Sequence, residues 1–139
     1  MAGNITFTMI KPEAFAARQA GKIIDMILSA GFDIAAMKIV HLSRKQAADF
    51  YSVHSERPFY DNLVEFMSSG PIVAAALKKE NAVEDYRKLI GSTNPADAAE
   101  GTIRKFFGTS IERNAVHGSD SDENAAIECS FFFSRLETV

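Results

Sequence analysis

A histidine in the last third of the chain stands where it can act as a nucleophile. The segment RNAVHGSDS (residues 113–121) carries His117 out of a short apolar run into a tight polar turn. Gly118 allows a close approach of the backbone that a side chain would prevent. A neutral imidazole can attack an electrophile and leave again, so it suits a reaction in which a group is held covalently and passed on. Without context, however, glycine beside histidine in a polar turn is more often ordinary loop chemistry.

Five sequence blocks resemble nucleoside diphosphate kinases, and most of all the bacterial members of that family. The blocks are TMIKPEA at 8–14, YSVHSERPF at 51–59, GSTNPAD at 91–97, GTIR at 101–104 and NAVHGSDS at 114–121. They extend over nearly the whole chain, in the family's order and at compatible spacing, which makes them far more specific than a single motif. The resemblance implies a phosphotransferase in which His117 is the phosphoryl acceptor.

The resemblance also implies which side chains bind the nucleotide and assist the transfer. Lys11, Tyr51 and Glu128 would join His117 in catalysis. The nucleotide-binding positions would be Lys11, Phe59, Arg87, Thr93, Arg104, Ile111 and Asn114. Among these, the cations would line the phosphate site, the phenylalanine would stack on the base with the isoleucine on its other face, and the threonine and asparagine would contact phosphate and ribose.

As bare residues, the three cations have different interpretations. Lys11 ends the first predicted strand, directly before a proline, and a lone lysine is most often solvated on the surface. Arg87 lies near the apolar stripe of a predicted helix, where arginine commonly snorkels to solvent. Arg104 follows Gly101, Thr102 and Ile103 in a long loop region, and its planar guanidinium can fork onto phosphate oxygens. Only the resemblance favours a shared phosphate site.

The other binding positions also have structural alternatives. Phe59 and Ile111 are residue types that more often pack in a core, and Thr93 and Asn114 are more often turn formers. His54, one helical turn after the family's tyrosine, is interpreted as a structural neighbour.

Glu128 is the position at which periodicity and resemblance agree. On the last predicted helix it shares one face with Ala125, Cys129 and Phe132, a stripe that otherwise looks inward. A buried carboxylate needs a partner. The family places this glutamate against the catalytic imidazole, where it would hold one ring nitrogen protonated. A glutamate at the rim of the core is the alternative.

Other phosphotransfer motifs are absent from the sequence. It contains no P-loop and no protein-kinase signature set, so the acceptor has to be sought elsewhere, and His117 is the natural choice. It also contains no carboxylate cluster spaced to hold a metal alone. We therefore expect Mg²⁺ to arrive with the nucleotide phosphates, and a ping-pong transfer between nucleoside triphosphates such as ATP and nucleoside diphosphates.

The elements that must position these residues alternate between strands and helices. Period-two and apolar runs predict strands at 5–9, 32–42 and 72–77, and helical spacing predicts helices at 20–28, 59–67 and 81–90. Ser43 and Gln46 fit a capping box, and Asn81 can cap the helix that follows it. The pattern indicates an α+β domain with a small sheet, and the resemblance sharpens this to a ferredoxin-like four-stranded antiparallel sheet flanked by helices.

Composition is compatible with this assignment. The 139 residues fit one domain, 1–139, that can bury a core, and a net charge of −3 gives no reason to expect a nucleic-acid or membrane surface. Cys129 is the only cysteine, and no leader or membrane-spanning run is visible. We expect a cytoplasmic protein. The resemblance implies a homo-oligomer, a hexamer or tetramer.

Three positions depart from the family's usual residues, and other functions stay open. Glu13, Glu100 and Phe106 replace residues that the family commonly has there, but none of them is assigned chemistry. The chain could be an inactive nucleotide-binding scaffold or a regulatory protein that passes its phosphoryl group to protein histidines. The retained active-site residues argue against the first. A histidine phosphatase is a weaker alternative, because its Arg-His-Gly signature is absent.

Overall fold

The computed structural model describes residues 3–139. The strands are β1 (Ile5–Ile10), β2 (Asp33–Val40), β3 (Ile72–Lys78) and β4 (Val116–Gly118). The helices are α1 (Pro12–Ala16), α2 (Ala20–Ser29), α3 (Arg44–Phe50), α4 (Tyr60–Met67), α5 (Ala82–Ile90), α6 (Ile103–Phe107) and α7 (Asp122–Phe132), and short 3₁₀ turns cover Ser52–His54, Pro95–Asp97 and Arg135–Glu137. None of the helices in this part of the chain is long and apolar enough to cross a membrane.

The strands form one antiparallel sheet in the order β2-β3-β1-β4. This confirms the predicted α+β fold with a four-stranded antiparallel sheet. The period-two alternation at 5–9 is typical of a half-buried strand, but β1 is buried on both faces. Thr6 and Thr8 are as deeply buried as Phe7 and Met9, because β1 is an inner strand with helices on both faces.

The two faces of the sheet carry separate hydrophobic clusters. One contains Phe7 and Met9 of β1 with Phe132 of α7. The other contains Ile10 of β1 with Tyr86 of α5 and residues of α2. Since side chains alternate along a strand, each residue of β1 and β4 belongs to one face only. That alternation decides what surrounds the histidine.

One of the two predicted helix caps is present in the structure, and the other is not. Ser43 and Gln46 form the predicted capping box, with the Gln46 amide donating to Ser43 Oγ over 3.1 Å and the Ser43 amide donating to Gln46 Oε1 over 2.9 Å. Asn81 does not cap α5 with its side chain, since its backbone is left-handed at φ 57°. The side-chain amide of Asn81 donates instead to the carboxylates of Glu84 and Asp85.

Candidate active site

Strand β4 is short and lies at the edge of the sheet. It pairs only with β1, with His117 directly opposite Met9. The imidazole therefore lies on the face of Phe7 and Phe50, whose ring centroids are 6.0 and 5.6 Å away. The prediction that His117 occupies a turn was wrong, because it lies inside the strand.

The turn comes just before the strand and is strained. Ala115 has φ 73°, and the Val116 amide donates to the Asn114 carbonyl over 2.9 Å across it. This is a γ-turn of the rare positive-φ kind. Non-glycine residues in that region persist only where the surroundings hold them, so the entry into β4 is set by its neighbours.

Gly118 is needed for close packing. A Cβ atom there would lie 2.9 Å from Ile90 Cδ1 and 3.2 Å from the ring of Tyr86. The predicted reason for this glycine, close approach of the backbone, is confirmed. It allows α5 to pack directly against the strand that carries the histidine.

The imidazole of His117 is held by a carboxylate. Its Nε2 lies 2.8 Å from Glu128 Oε1, which also accepts from Ser119 Oγ over 2.7 Å. A carboxylate accepts hydrogen bonds, so Nε2 carries a hydrogen, and in the neutral ring Nδ1 then keeps its lone pair. Ser119 is fully buried, and it also accepts from the Phe7 amide over 3.2 Å. The sequence around Ser119 indicates only a turn residue and gives no sign of this bond.

A cavity of about 940 Å³ opens beside the histidine. Its volume is in the range of small-molecule sites. All ten residues that the family resemblance singled out border it, namely Lys11, Tyr51, Phe59, Arg87, Thr93, Arg104, Ile111, Asn114, His117 and Glu128. They come from elements far apart in the chain, so the fold gathers them at one place. His54 also borders the cavity, with its ring 5.7 Å from that of Phe59.

Two of the cations are buried rather than solvated. Lys11 is only 7% exposed, and its Nζ donates to the Glu112 carbonyl over 3.2 Å. Burial, followed by the positive charge of Arg104, lowers the pKa of Lys11 to about 7. The interpretation of Lys11 as a surface lysine is wrong. Lys11 directly follows β1, and β1 runs through the middle of the sheet.

Arg104 is hydrogen-bonded to the main chain around β4. Its guanidinium donates to the carbonyls of Gly91 and Val116 over 3.0 and 2.9 Å, and burial lowers its pKa to about 10. The third cation, Arg87, is exposed on α5 at the edge of the cavity. The three basic side chains therefore line one cavity, and two of them are buried.

Three buried polar atoms at this cavity have no partner in the protein. They are the Tyr51 hydroxyl, Arg104 Nε and Asn114 Oδ1. Burial, followed by the charge of Glu128, raises the pKa of Tyr51, so its hydroxyl stays a donor. Buried polar atoms are normally satisfied. Two donors and one acceptor left open at one cavity indicate a polar ligand.

Apolar and turn residues complete the wall. Phe59 is 46% and Ile111 61% exposed, so neither is a core residue. Thr93 is exposed, and its carbonyl accepts from Asn114 Nδ2 over 2.9 Å. Among residues 3–139, no group of three or more His, Cys, Asp or Glu side chains is arranged to hold a metal ion.

The protein has an antiparallel α+β fold, in which a histidine hydrogen-bonded to a carboxylate shares one cavity with buried cations. Together these features define a phosphotransferase site. The chain matches the family model for nucleoside diphosphate kinase over residues 4–138 and belongs to this family. It is 63% identical over 137 residues to a nucleoside diphosphate kinase of Flavobacterium psychrophilum, covering 99% of each chain. It is 56% identical over 134 residues to that of Chlamydia muridarum, covering 96% of this chain and 95% of the relative.

Solved structures of the family superpose closely. The Aquifex aeolicus enzyme matches with a TM-score of 0.96 at 45% identity, covering 98% of this chain and 99% of the other. A Halobacterium salinarum enzyme in complex with CDP matches with a TM-score of 0.93 at 32% identity, covering 99% and 92%. The activity of the chain is therefore that of a nucleoside diphosphate kinase, the exchange of a terminal phosphate between nucleotides.

Proposed function

We propose that the phosphoryl group is carried on Nδ1 of His117 in a ping-pong cycle. The observation that carries this proposal is the bond between His117 Nε2 and Glu128. With one ring nitrogen engaged, the lone pair of the other is fixed in direction. Orienting a nucleophile through a third group in this way is common to many covalent catalysts.

Each half-reaction exchanges one bond at phosphorus. The Nδ1 lone pair attacks the terminal phosphorus of a triphosphate, and the electron pair of the broken P–O bond remains on the departing diphosphate. Positive charge develops on the imidazole and is stabilised by Glu128. In the second half-reaction, a terminal oxygen of another diphosphate attacks the same phosphorus, and the N–P electron pair returns to the ring. One phosphoanhydride replaces another, so no separate energy input is needed.

The buried cations and unpaired atoms supply the phosphate site. Lys11, Arg104 and Arg87 provide positive charge around the oxygens, which is the main requirement of phosphoryl transfer. The free hydrogens of Tyr51 and Arg104 are donors for phosphate oxygens. Asn114 Oδ1 is an acceptor for a sugar hydroxyl. Lys11, Tyr51, Arg104 and Asn114 are already buried in the free protein, so little further desolvation of these four side chains is needed when the nucleotide binds.

The exposed aromatic and aliphatic side chains serve the base. Phe59 offers a flat face, Ile111 also lines the cavity, and stacking is available to every base. The similar Halobacterium salinarum enzyme was solved with CDP. We infer that this chain accepts purine and pyrimidine nucleotides, ATP among them.

Magnesium is proposed to enter as part of the nucleotide substrate. Mg²⁺ is usually held by one or two carboxylates together with phosphate oxygens and water, and Glu112 and Asp120 are carboxylates on the cavity wall that can contribute in this way. When bound, the ion neutralises phosphate charge and gathers the oxygens.

We also propose that the chain is one domain that assembles into a homo-oligomer, a hexamer or tetramer, in the cytoplasm. Strand β2 is at the edge of the sheet, and Met37 and Ile39 on one of its faces are about half exposed or more. Sedimentation of an Ile39→Lys variant beside the unchanged protein tests whether that face is an interface.

A phosphohistidine assay tests the central proposal. The protein is incubated with terminally labelled ATP, and the adduct is mapped and then challenged with an unlabelled diphosphate. We expect acid-labile, base-stable label on His117 that leaves with the diphosphate. His117→Ala should abolish labelling without unfolding the protein, whereas His41→Ala, at a histidine outside the cavity, should not change it. Acid-stable label on serine, or turnover by His117→Ala, would exclude the mechanism.

The same assay separates the alternative functions. A nucleotide-binding scaffold would bind ATP without labelling. A protein-histidine phosphotransferase would label but transfer slowly to diphosphates and quickly to a histidine-containing protein. The complete set of cavity residues favours the nucleotide exchange.

A further inference from the structure

Two buried hydroxyl groups lie behind the main chain of His117. Thr8 Oγ1 donates to the His117 carbonyl over 2.7 Å, and the same oxygen lies 2.7 Å from the Tyr86 hydroxyl. A threonine hydroxyl has a single hydrogen. Because Thr8 gives it to His117, Tyr86 must donate to Thr8. The three groups form one directed chain of hydrogen bonds.

This chain approaches His117 from the face of the sheet opposite its imidazole. Thr8 pairs with Gly118 in the sheet, one residue out of step with His117, so its side chain points to the other face. Thr8 is 2% exposed and Tyr86 is fully buried. Neither side chain borders the nucleotide cavity, so any effect on the reaction is indirect.

Tyr86 is itself held firmly. Its ring packs edge-on against Phe32 at 5.5 Å, and it lies close enough to Gly118 that an added Cβ there would be 3.2 Å from the ring. Tyr86 therefore reaches β4 at two successive residues, by packing at Gly118 and through Thr8 at His117.

Strand β4 needs such support. It has three residues, pairs with β1 alone, and follows the strained Ala115. Short edge segments with few contacts open most readily. A shift of about 1 Å in a reacting group can reduce a rate by two orders of magnitude.

We propose that Thr8 and Tyr86 are positioning residues for phosphoryl transfer. They fix the main chain of His117 relative to α5. Arg87, the residue after Tyr86 on this helix, borders the cavity. The pair thus sets the distance between the nucleophile and a phosphate-binding helix. This inference rests on the proposed role of His117.

Conservative variants test it. Tyr86→Phe removes one hydroxyl, Thr8→Val removes the other at nearly the same shape, and Thr8→Ser keeps the hydroxyl. Tyr60→Phe is the matched control, since the Tyr60 hydroxyl donates to the Ala48 carbonyl over 2.9 Å and Tyr60 does not border the cavity. For each variant, the single-turnover rate of His117 phosphorylation by ATP, the nucleotide Kd and the melting temperature are measured.

We expect a selective loss of rate. Tyr86→Phe should slow phosphorylation about 3- to 10-fold and Thr8→Val about 10-fold or more, as the loss of orienting partners commonly does, while the Kd stays within about twofold. Thr8→Ser should recover most of the rate. The double variant Thr8→Val/Tyr86→Phe should be no slower than Thr8→Val, because Tyr86 acts through Thr8. Tyr60→Phe should lose melting temperature but not rate.

The outcomes are distinguishable. If Tyr86→Phe and Thr8→Val phosphorylate as fast as Tyr60→Phe at equal loss of melting temperature, both residues are ordinary core residues. The positioning role then fails, while the proposed role of His117 stands. If Thr8→Val does not fold, Tyr86→Phe decides by the same criterion. Label on a residue other than His117 in the unchanged protein would overturn the proposed function, and this inference with it.

Discussion

Replacing Glu128 with glutamine isolates the contribution of one negative charge to the transfer. The amide keeps the shape of the side chain and an oxygen that can accept from His117 and Ser119, whose bonds to Glu128 Oε1 are 2.8 and 2.7 Å long. The lost component is the carboxylate charge beside a ring that becomes positive.

The size of the effect follows from that geometry. A unit charge pair about 4 Å apart, at an effective dielectric constant of about 20, interacts by about 4 kcal/mol. If roughly half of the imidazole charge has developed in the transition state, about 2 kcal/mol is lost. Since about 1.4 kcal/mol is a factor of ten in rate, phosphorylation should slow by about 10- to 100-fold.

Rapid-quench labelling with ATP measures the rate, and equilibrium binding of a diphosphate measures affinity, which should be nearly unchanged. Glu123→Gln is the control, because Glu123 lies in the first turn of the same helix and is exposed. It should phosphorylate at the wild-type rate.

A Glu128→Gln variant that phosphorylates at the wild-type rate but melts at a lower temperature would refute this reasoning. Glu128 would then be a structural residue, and His117 would be oriented by another group. A large loss of affinity with an unchanged rate would equally contradict the assigned role.

Three further predictions follow from the cavity. Nucleotide binding near pH 8 should take up protons, because burial gives Lys11 a pKa of about 7 in the free protein and phosphate raises it. Calorimetry in buffers of different ionisation enthalpy measures the uptake, and its persistence in Lys11→Met would assign it elsewhere. Phe59→Ala should raise the Kd of nucleotides with every base by a similar factor. Loss of binding for guanine nucleotides alone would indicate that the protein recognises base edges by hydrogen bonds. Activity should require Mg²⁺, whereas chelator should leave the melting temperature of the free protein unchanged. Metal retained through gel filtration would contradict this.

The same lowered pKa has a consequence for stability, with a defined sign. Between pH 7 and the unfolded value of 10.5, Lys11 binds a proton in the unfolded chain but largely not in the folded one. The free energy of unfolding should therefore rise with pH over this window as far as Lys11 contributes. Below pH 7 the folded protein must charge a buried ammonium, so this contribution is least favourable there.

Sequence patterns predicted the parts of the fold that depend on local chemistry. The capping box at Ser43 and the fully apolar strand before Lys78 are both present. The left-handed backbone at Asn81 was not predictable, since the residue type favours both a cap and a left-handed turn. The residue list for the site came from resemblance, because Phe59 or Arg104 taken singly is more often structural.

The burial of individual groups could not be predicted, because it depends on strand order. Lys11 looks like an exposed lysine until β1 is known to run between β3 and β4. Ser119 likewise looks like a turn former, although it donates to Glu128. Both depend on contacts between residues distant in the chain, which local periodicity does not encode.

The arrangement around β4 shows how such distant contacts converge on one short segment of the main chain. Three successive carbonyls are engaged by different elements: Ala115 by the Lys11 amide, Val116 by Arg104 and His117 by Thr8. Lys11 and Arg104 also border the cavity. The guanidinium of Arg104 therefore both holds the Val116 carbonyl and belongs to the proposed phosphate-binding set. Since burying a cation costs stability, a bound nucleotide phosphate beside Lys11 and Arg104 should relieve part of that cost.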